Sequence, residues 1–300
     1  MQIFSGSSNP DLAKKIAALM GTTLGEIEIS QFANGETRVW VKEKHLEKSV
    51  VVVQSLSSPT NEHLMEFCLI CDALRRGGVT EITAVIPWMG YSKQDKVFRA
   101  GEPLSAKVVA QILQVARPSR IITIDLHNKA TLGFFDVPIV ELSAKPLLVE
   151  YFKKSVGEGT LVAAPDAGAV KASTAFAMEI GVPVVYIDKK RDLESGEVQV
   201  VGMSRSVTGM DVIIVDDNVF TGSTLLKTAK ELKKAGAKSI KVGLTHHLYV
   251  PGVQEKLEAS EIDEIVVSDT VQSTNKLTSQ QTNGKLKVLS IAQLIVDELR

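Results

Sequence analysis

DVIIVDDNVFTGSTLLKTAKELKKAG, residues Asp211 to Gly236, decides the fold. Val212 to Val215 are continuously apolar, the pattern of a parallel strand covered on both faces rather than one that alternates inside and out. The run ends on Asp216 and Asp217. A turn of small and hydroxyl residues follows, Thr221-Gly222-Ser223-Thr224, and then Leu225, Ala229, Leu232 and Ala235 recur at helical spacing. Strand, polar loop and helix N-terminus in that order make an anion site, because unpaired backbone N–H groups and the positive end of the helix dipole point into the loop. Phosphate is the natural guest. Two carboxylates beside it would repel a phosphate, so they are expected to face the hydroxyls of a phosphorylated sugar or a bound cation, and ribose 5-phosphate suits both. No Gly-Lys-Ser/Thr closes the turn, which excludes a Walker A loop. The alternative for this segment alone is an ordinary strand-to-helix turn capped by Thr and Ser.

Working outward, 300 residues exceed what one core usually serves, so two domains are expected. Hydrophobic residues make up 44% and charged residues 23%, enough for both to fold. A net charge of −1 offers no basic field for nucleic acid, which leaves small molecules and other subunits as partners. No apolar run approaches the roughly 18 residues of a membrane helix, and MQIFSGSSNPDL lacks the basic and apolar regions of a signal peptide. A cytoplasmic location is expected. Cys68 and Cys71 share a helical face, and without a second pair or a nearby His they read as core thiols rather than a metal or redox pair.

The chain alternates strand and helix on either side of the opening stretch. Ser8 or Asn9 can cap a helix with Pro10 in its first turn and Leu12, Ile16 and Leu19 as its apolar stripe. IEISQFANGETRVWV reads as a hairpin turning at Asn34-Gly35, with Phe32, Asn34 and Glu36 at a polar tip that can reach away from its own domain. Strands at Val50–Gln54 and Glu81–Trp88 flank a helix at Asn61–Arg76, a βαβ unit. After it, MGYSKQDKVFRAGEP is long for a loop in a compact domain. Lys93, Lys96 and Arg99 surround Gln94 there, and such a cationic arm suits a polyphosphate. A helix at Ser105–Ala116 and a strand at Arg120–Leu126 complete the first sheet, ending in Asp125-Leu126-His127. His127 is a candidate neighbour of a magnesium phosphate.

The second half repeats the pattern. A strand at Leu161–Ala164 ends in Pro165-Asp166-Ala167-Gly168, and a strand at Pro183–Ile187 ends in Asp188-Lys189-Lys190-Arg191. Asp192 to Gly209 reads as an antiparallel excursion around Glu197–Val201. After the opening stretch, a strand at Ser239–Thr245 runs into His246-His247, followed by a helix near Gly252–Ala259, a strand at Glu264–Ser268 and a closing helix from Ile291. The expectation is two similar doubly wound α/β domains, residues 1–145 with the hairpin and basic arm, and 146–300 with the sugar-phosphate loop.

SGSSNPDLAKKIA, FANGE, PTNEHLME with DALRRGG, AVIPWMGYSKQDKVFRAGEPLSAKVVA, DLHNKATLGFFDVP, APDAGAVKAS, DKKR, VDDNVFTGST and VVSDTV occur in this order from end to end. In that order they resemble the ribose-phosphate pyrophosphokinase family, also called phosphoribosyl pyrophosphate synthetases. The resemblance implies two phosphoribosyltransferase-type domains and transfer of the terminal diphosphate of ATP to the 1-hydroxyl of ribose 5-phosphate. It implies Mg2+ as cofactor and a homo-oligomer, a hexamer built from dimers, in which Phe32, Asn34 and Glu36 reach a neighbouring subunit's ATP. By the same resemblance Lys93 and Gln94 lie at the nucleotide with Lys96 and Arg99 beside them. His127 and Asp166 bind magnesium, Lys189 and Arg191 are mobile catalytic cations, and Asp216, Asp217 and Thr221, Gly222, Ser223 and Thr224 bind ribose 5-phosphate.

Four positions depart from the family pattern: Asn34 and Phe220 stand where it has aspartates, Lys93 where it has arginine, and Ala169 where it has glycine. Phe220 is the largest change, an aromatic ring in place of an acceptor near the sugar. It also suits the alternative reading, a phosphoribosyltransferase that consumes the activated sugar. A second alternative is a non-catalytic family member that regulates an active subunit.

Overall fold

The computed structural model describes residues 1–191, 198–273 and 284–300, with the backbone alone described at 189–191 and 198–201. The chain forms two units, one of residues 1–144, 269–272 and 290–300 and the other of residues 145–268 and 273–289.

The first unit runs through β1 (Gln2–Ser5), α1 (Pro10–Leu19), a hairpin of β2 (Ile27–Gln31) and β3 (Thr37–Val41), β4 (Ser49–Val53), α2 (Thr60–Arg76), β5 (Glu81–Ile86), α3 (Ser105–Val115), β6 (Arg120–Ile124) and β7 (Ile139–Leu142). Five strands pair in parallel in the order β1-β4-β5-β6-β7. Their Val- and Ile-rich runs are buried, and α2 and α3 cover one face through Phe67, Ile70, Leu74, Val109 and Leu113. Asn9, not Ser8, caps α1, its Oδ1 accepting from Leu12 N–H at 3.3 Å. Ser8 Oγ instead donates to Gln54 and accepts from the Ser55 N–H. Leu12 and Ile16 are buried, but Leu19 is exposed at the last turn, and Ala13 and Ala17 complete the stripe. Cys71 is fully buried, and burial pushes its thiol far above the usual range. Cys68 is partly buried, its thiol also raised by burial.

The second unit runs through α4 (Lys145–Lys153), β8 (Thr160–Ala164), α5 (Val170–Ile180), β9 (Val184–Arg191), β10 (Val198–Met203), β11 (Asp211–Val219), α6 (Ser223–Lys234), β12 (Ser239–His247), α7 (Val253–Glu258), β13 (Glu264–Ser268) and β14 (Leu286–Leu289). Its sheet has the order β10-β9-β8-β11-β12-β13-β14, parallel except for the edge pair of β10 with β9. Both faces of β11 are covered, as its unbroken apolar run implies: Val212 and Ile214 pack with Leu225, Ala229 and Leu232 of α6, and Ile213 and Val215 with Phe152 and Phe176. Phe152 sits so close to β12 that a Cβ on Gly243 would lie 2.8 Å from its ring. The excursion after β9 is antiparallel as read, though Asp192 and Glu197 lie outside the described residues.

A last helix, α8 (Ala292–Leu299), groups with the first unit and packs on α1. Buried Asp269 ties the segments: its carbonyl accepts from Asn9 Nδ2 at 2.8 Å, and its carboxylate accepts from Ile291 N–H and pairs with Lys15. Arg120 pairs with Glu298 at 3.2 Å. A division at 145 and 146 does not contain this return.

Candidate active site

In the second sheet β9 follows β8 on one side, whereas β11 lies against β8 on the other. Loops leaving β8 and β11 therefore diverge, and ligands of open α/β sheets bind in the crevice such a reversal opens at the strands' C-terminal ends. Asp166 lies just past β8, exposed, with Oδ1 accepting from Ala169 N–H at 3.0 Å. Asp216 and Asp217 lie near the end of β11. That strand continues four residues beyond Val215, because β12 keeps pairing with it as far as Val219 opposite His247. Asp216 Oδ1 accepts the N–H of Asp217 at 2.9 Å.

The loop between β11 and α6 holds Phe220, Thr221 and Gly222. Gly222 is the cap of α6, with φ of 71° in the left-handed region that glycine adopts freely. No side chain caps the helix, so the ordinary capped turn, with Thr or Ser at the cap, is not formed. Thr221 Oγ1 and Ser223 Oγ instead share a hydrogen bond of 2.6 Å, and Thr221, Ser223 and Thr224 are exposed. The first-turn N–H groups of α6 and these hydroxyls form a donor-rich anion cradle. Lys233 and Lys234 complement the dipole at the other end. Structure thus brings Asp166, Asp216, Asp217 and the Thr221–Thr224 loop to one sheet edge. Lys189 and Arg191 close β9 on the same edge, opposite Val200 and Val198 of β10; their side chains lie outside the described residues.

In the first unit, β5 and β6 are sheet neighbours, so the basic arm and the His127 turn emerge side by side. Asn128 Nδ2 donates to Asp95 at 2.5 Å and ties the two segments. Lys93, Lys96 and Arg99 are exposed. Glu102 accepts from the N–H groups of Phe98 and Arg99 and folds the tip of the arm. Gln94 anchors the arm's base, its Oε1 accepting from Ser105 Oγ at 2.7 Å. His127 is exposed. The hairpin forms as read, but its turn is wider: Phe32 N–H donates to Glu36 O at 2.8 Å and Gly35 N–H to Phe32 O. Only Gly35, and not Asn34, has a positive φ, so this is not the two-residue turn that Asn-Gly usually makes. Asn34 Oδ1 instead accepts from Glu36 N–H, and Phe32 is half exposed. Ile27, Ile29, Val39 and Val41 anchor the hairpin on the first core.

The donors fit a magnesium ion that arrives with phosphates. Magnesium is usually held through one or two carboxylates plus substrate phosphates rather than by an all-protein cage. Asp166 offers an exposed carboxylate, and among the described residues no three His, Cys, Asp or Glu side chains gather as a cage. Among the described residues, too, no helix is long and apolar enough to cross a membrane.

The family profile described as the N-terminal domain of ribose phosphate pyrophosphokinase matches residues 1–116, and the phosphoribosyl transferase domain profile matches residues 134–281. The chain is 36% identical over 298 residues to the ribose-phosphate pyrophosphokinase of Ralstonia nicotianae, covering 99% of this chain and 93% of that one. The chain belongs to the ribose-phosphate pyrophosphokinase family. It is also 36% identical to the ribose-phosphate pyrophosphokinase of Wolinella succinogenes, over 100% of this chain and 94% of that one. The phosphoribosylpyrophosphate synthetase of Mycobacterium smegmatis superposes with a TM-score of 0.89 at 33% identity, covering 100% of this chain and 97% of that structure. Reading the sequence as an enzyme of the ribose-phosphate pyrophosphokinase family, with two phosphoribosyltransferase-type α/β domains, therefore stands. A free-standing phosphoribosyltransferase would leave the N-terminal profile match over 1–116 without explanation.

Of the departures from this family's pattern, Ala169 is accommodated: its φ of −82° is ordinary for any residue. Phe220 is 38% exposed at the mouth of the loop, while the preceding Val219 is buried. Asn218 went unread in the sequence; it is buried between Asp217 and Val219, and among the described residues neither polar atom of its amide has a hydrogen-bond partner. Its place as the third polar residue in a row, directly after Asp216 and Asp217 and before Val219, is the signal that could have found it.

Proposed function

We propose that the chain transfers the β,γ-diphosphate of ATP to the 1-hydroxyl of ribose 5-phosphate, giving phosphoribosyl pyrophosphate and AMP. The observation that carries this is the uncapped start of α6 beside Asp216 and Asp217 at the β8/β11 reversal. The 5-phosphate takes the N–H groups and hydroxyls of Thr221–Thr224. Asp216 and Asp217 accept from the ribose hydroxyls, a charge-assisted contact that orients the sugar. On the other unit, Lys93, Gln94, Lys96 and Arg99 take the triphosphate, and Phe32, Asn34 and Glu36 take the nucleoside. Attack by the sugar hydroxyl on the β-phosphorus needs positioning and charge neutralisation more than a strong base. Lys189 and Arg191 supply positive charge to the transferring group and exclude water as their segment closes. When bound, magnesium neutralises the phosphate oxygens, and His127 and Asp166 are the residues that would hold it.

ATP and ribose 5-phosphate are thus the partners, in the cytoplasm, with no nucleic acid or membrane required. A homo-oligomer, hexameric by family resemblance, is supported by α3, where Val108, Ile112 and Val115 are exposed at i, i+4 and i+7 as an apolar stripe. The test of the reaction is direct: purified protein with magnesium, ATP and ribose 5-phosphate releases AMP. No AMP above an ATP-only control rejects the proposal.

A further inference from the structure

Tyr91 opens the basic arm with φ of 64°, in the left-handed region that penalises a bulky side chain. Such a conformation persists where the surrounding structure over-determines it. Gly90, just before it, is pressed onto the start of α2: a Cβ there would lie 2.6 Å from the Leu56 carbonyl oxygen and 2.7 Å from Thr60 Cγ2. The Tyr91 ring packs on the first core, and its hydroxyl donates to Oδ1 of Asn61, the second residue of α2, at 2.6 Å. The Tyr91 carbonyl accepts the Gln94 N–H at 2.9 Å, which closes a turn over residues 91–94 with Lys93 in its third position. Gln94 fastens the far end of the turn to α3, its carbonyl accepting from Ala106 N–H at 3.1 Å beside the Ser105 contact. Ser92 is buried within the turn, whereas Lys93 and residues 96–102 are exposed. A fixed root carries an exposed cationic tip.

We infer that Tyr91 and Asn61 are positioning residues for the polyphosphate: the bond between them holds the left-handed turn that presents Lys93 and sets the direction in which the arm leaves β5. Packing on the core accounts for the ring, but not for the short hydroxyl bond to the exposed Asn61. Without that bond the turn relaxes toward the right-handed or extended conformations that an L-residue prefers, and Lys93 moves with it. Lys93 offers a point charge without the planar fork of an arginine, so its placement rests on the backbone that carries it. A turn ordered in advance also spares binding part of the conformational entropy it would otherwise cost. Neither side chain needs to touch the nucleotide.

This inference rests on the nucleotide role proposed for the arm, and the experiment separates it from the reaction. Calorimetry on the full chain with magnesium gives Kd for ATP, inorganic tripolyphosphate and ribose 5-phosphate, each added alone, so the arm is read without turnover. Absence of AMP with both substrates sinks the reaction and leaves these affinities to decide the inference. Tyr91→Phe and Asn61→Ala each weaken ATP and tripolyphosphate roughly fivefold, the effect of about one hydrogen bond, and leave ribose 5-phosphate unchanged. The double variant is no worse than either single one, because each breaks the same bond. Asn61→Asp keeps an acceptor for the hydroxyl and binds ATP within about twofold of wild type, a rescue that loss of packing would not show. Unchanged Kd in both single variants, effects that multiply in the double variant, or Asn61→Asp as impaired as Asn61→Ala would each overturn the inference. So would a loss confined to ATP, which would act through the base, or a wild type that binds neither ATP nor tripolyphosphate.

Discussion

In the first unit the five parallel strands lie in chain order, and the loop after β5 presents cations, Lys93, Lys96 and Arg99, at their C-terminal edge. In the second unit the order reverses between β8 and β11, and the corresponding edge presents carboxylates, Asp166, Asp216 and Asp217, around a helix N-terminus. One architecture thus presents opposite charges at the two edges. In the proposed reaction a long charged arm would neutralise a flexible polyphosphate by Coulomb attraction, whereas backbone N–H groups fixed at a helix start would hold a single phosphate by geometry. The carboxylates would then serve hydroxyls without cancelling the site, the phosphate being held by the helix dipole.

If the edges divide the substrates in this way, variants should split by unit. The largest effect belongs to the residues acting on the transferring group: Lys189→Ala is expected to lower kcat by about 10³, measured by AMP release, with little loss of stability. An unchanged kcat removes Lys189 from the catalytic assignment. Next is the cradle. Gly222→Val forces a β-branched residue to the left-handed φ of 71° and is expected to cost about 1–3 kcal/mol of stability and raise KM for ribose 5-phosphate well above tenfold. Lys96→Ala and Arg99→Ala make the mirror test: KM for ATP rises several-fold, more at low salt than at high, and KM for ribose 5-phosphate stays put. Equal effects on both substrates would erase the division of labour. Phe220→Asp sharpens it further, changing KM for ribose 5-phosphate alone; identical kinetics would show that the ring does not touch the sugar.

The last effect falls on stability rather than on catalysis, and only at low pH. Burial gives His247 a folded-state pKa of about 4 against 6.5 when unfolded, so between these values the unfolded chain binds a proton that the native protein does not. Stability therefore falls as pH is lowered from 6.5 to 4, by up to about 3 kcal/mol from this group. Urea unfolding of His247→Leu should show a shallower loss over that window; parallel curves would mean the ring is not held neutral.

The fold was legible where the pattern had one physical meaning. An unbroken Val212–Val215 run could only suit a strand covered on both faces, and Phe152, Phe176 and α6 cover it. β7 and β14 were missed, since Ile139–Leu142 and Leu286–Leu289 are four-residue edge strands interrupted by Glu141 and Lys287, too short to show a pattern of their own. α4 escaped because Pro146 and Lys145 open it without a capping residue. In the site, residues at strand ends could be read from sequence because parallel strands deliver them to one edge. Gln94 could not be read in full: its tie to Ser105 is a tertiary contact.

Asp269 gathers the start of α1 and the start of α8 around one buried carboxyl group and its carbonyl. A ribosome making this chain therefore releases nearly all of the second unit before it supplies the pieces that finish the first. Until then Asn9 and Lys15 wait without their clasp, and the nascent N-terminal layer leaves the apolar side of α1 uncovered. The unit made first is the one completed last.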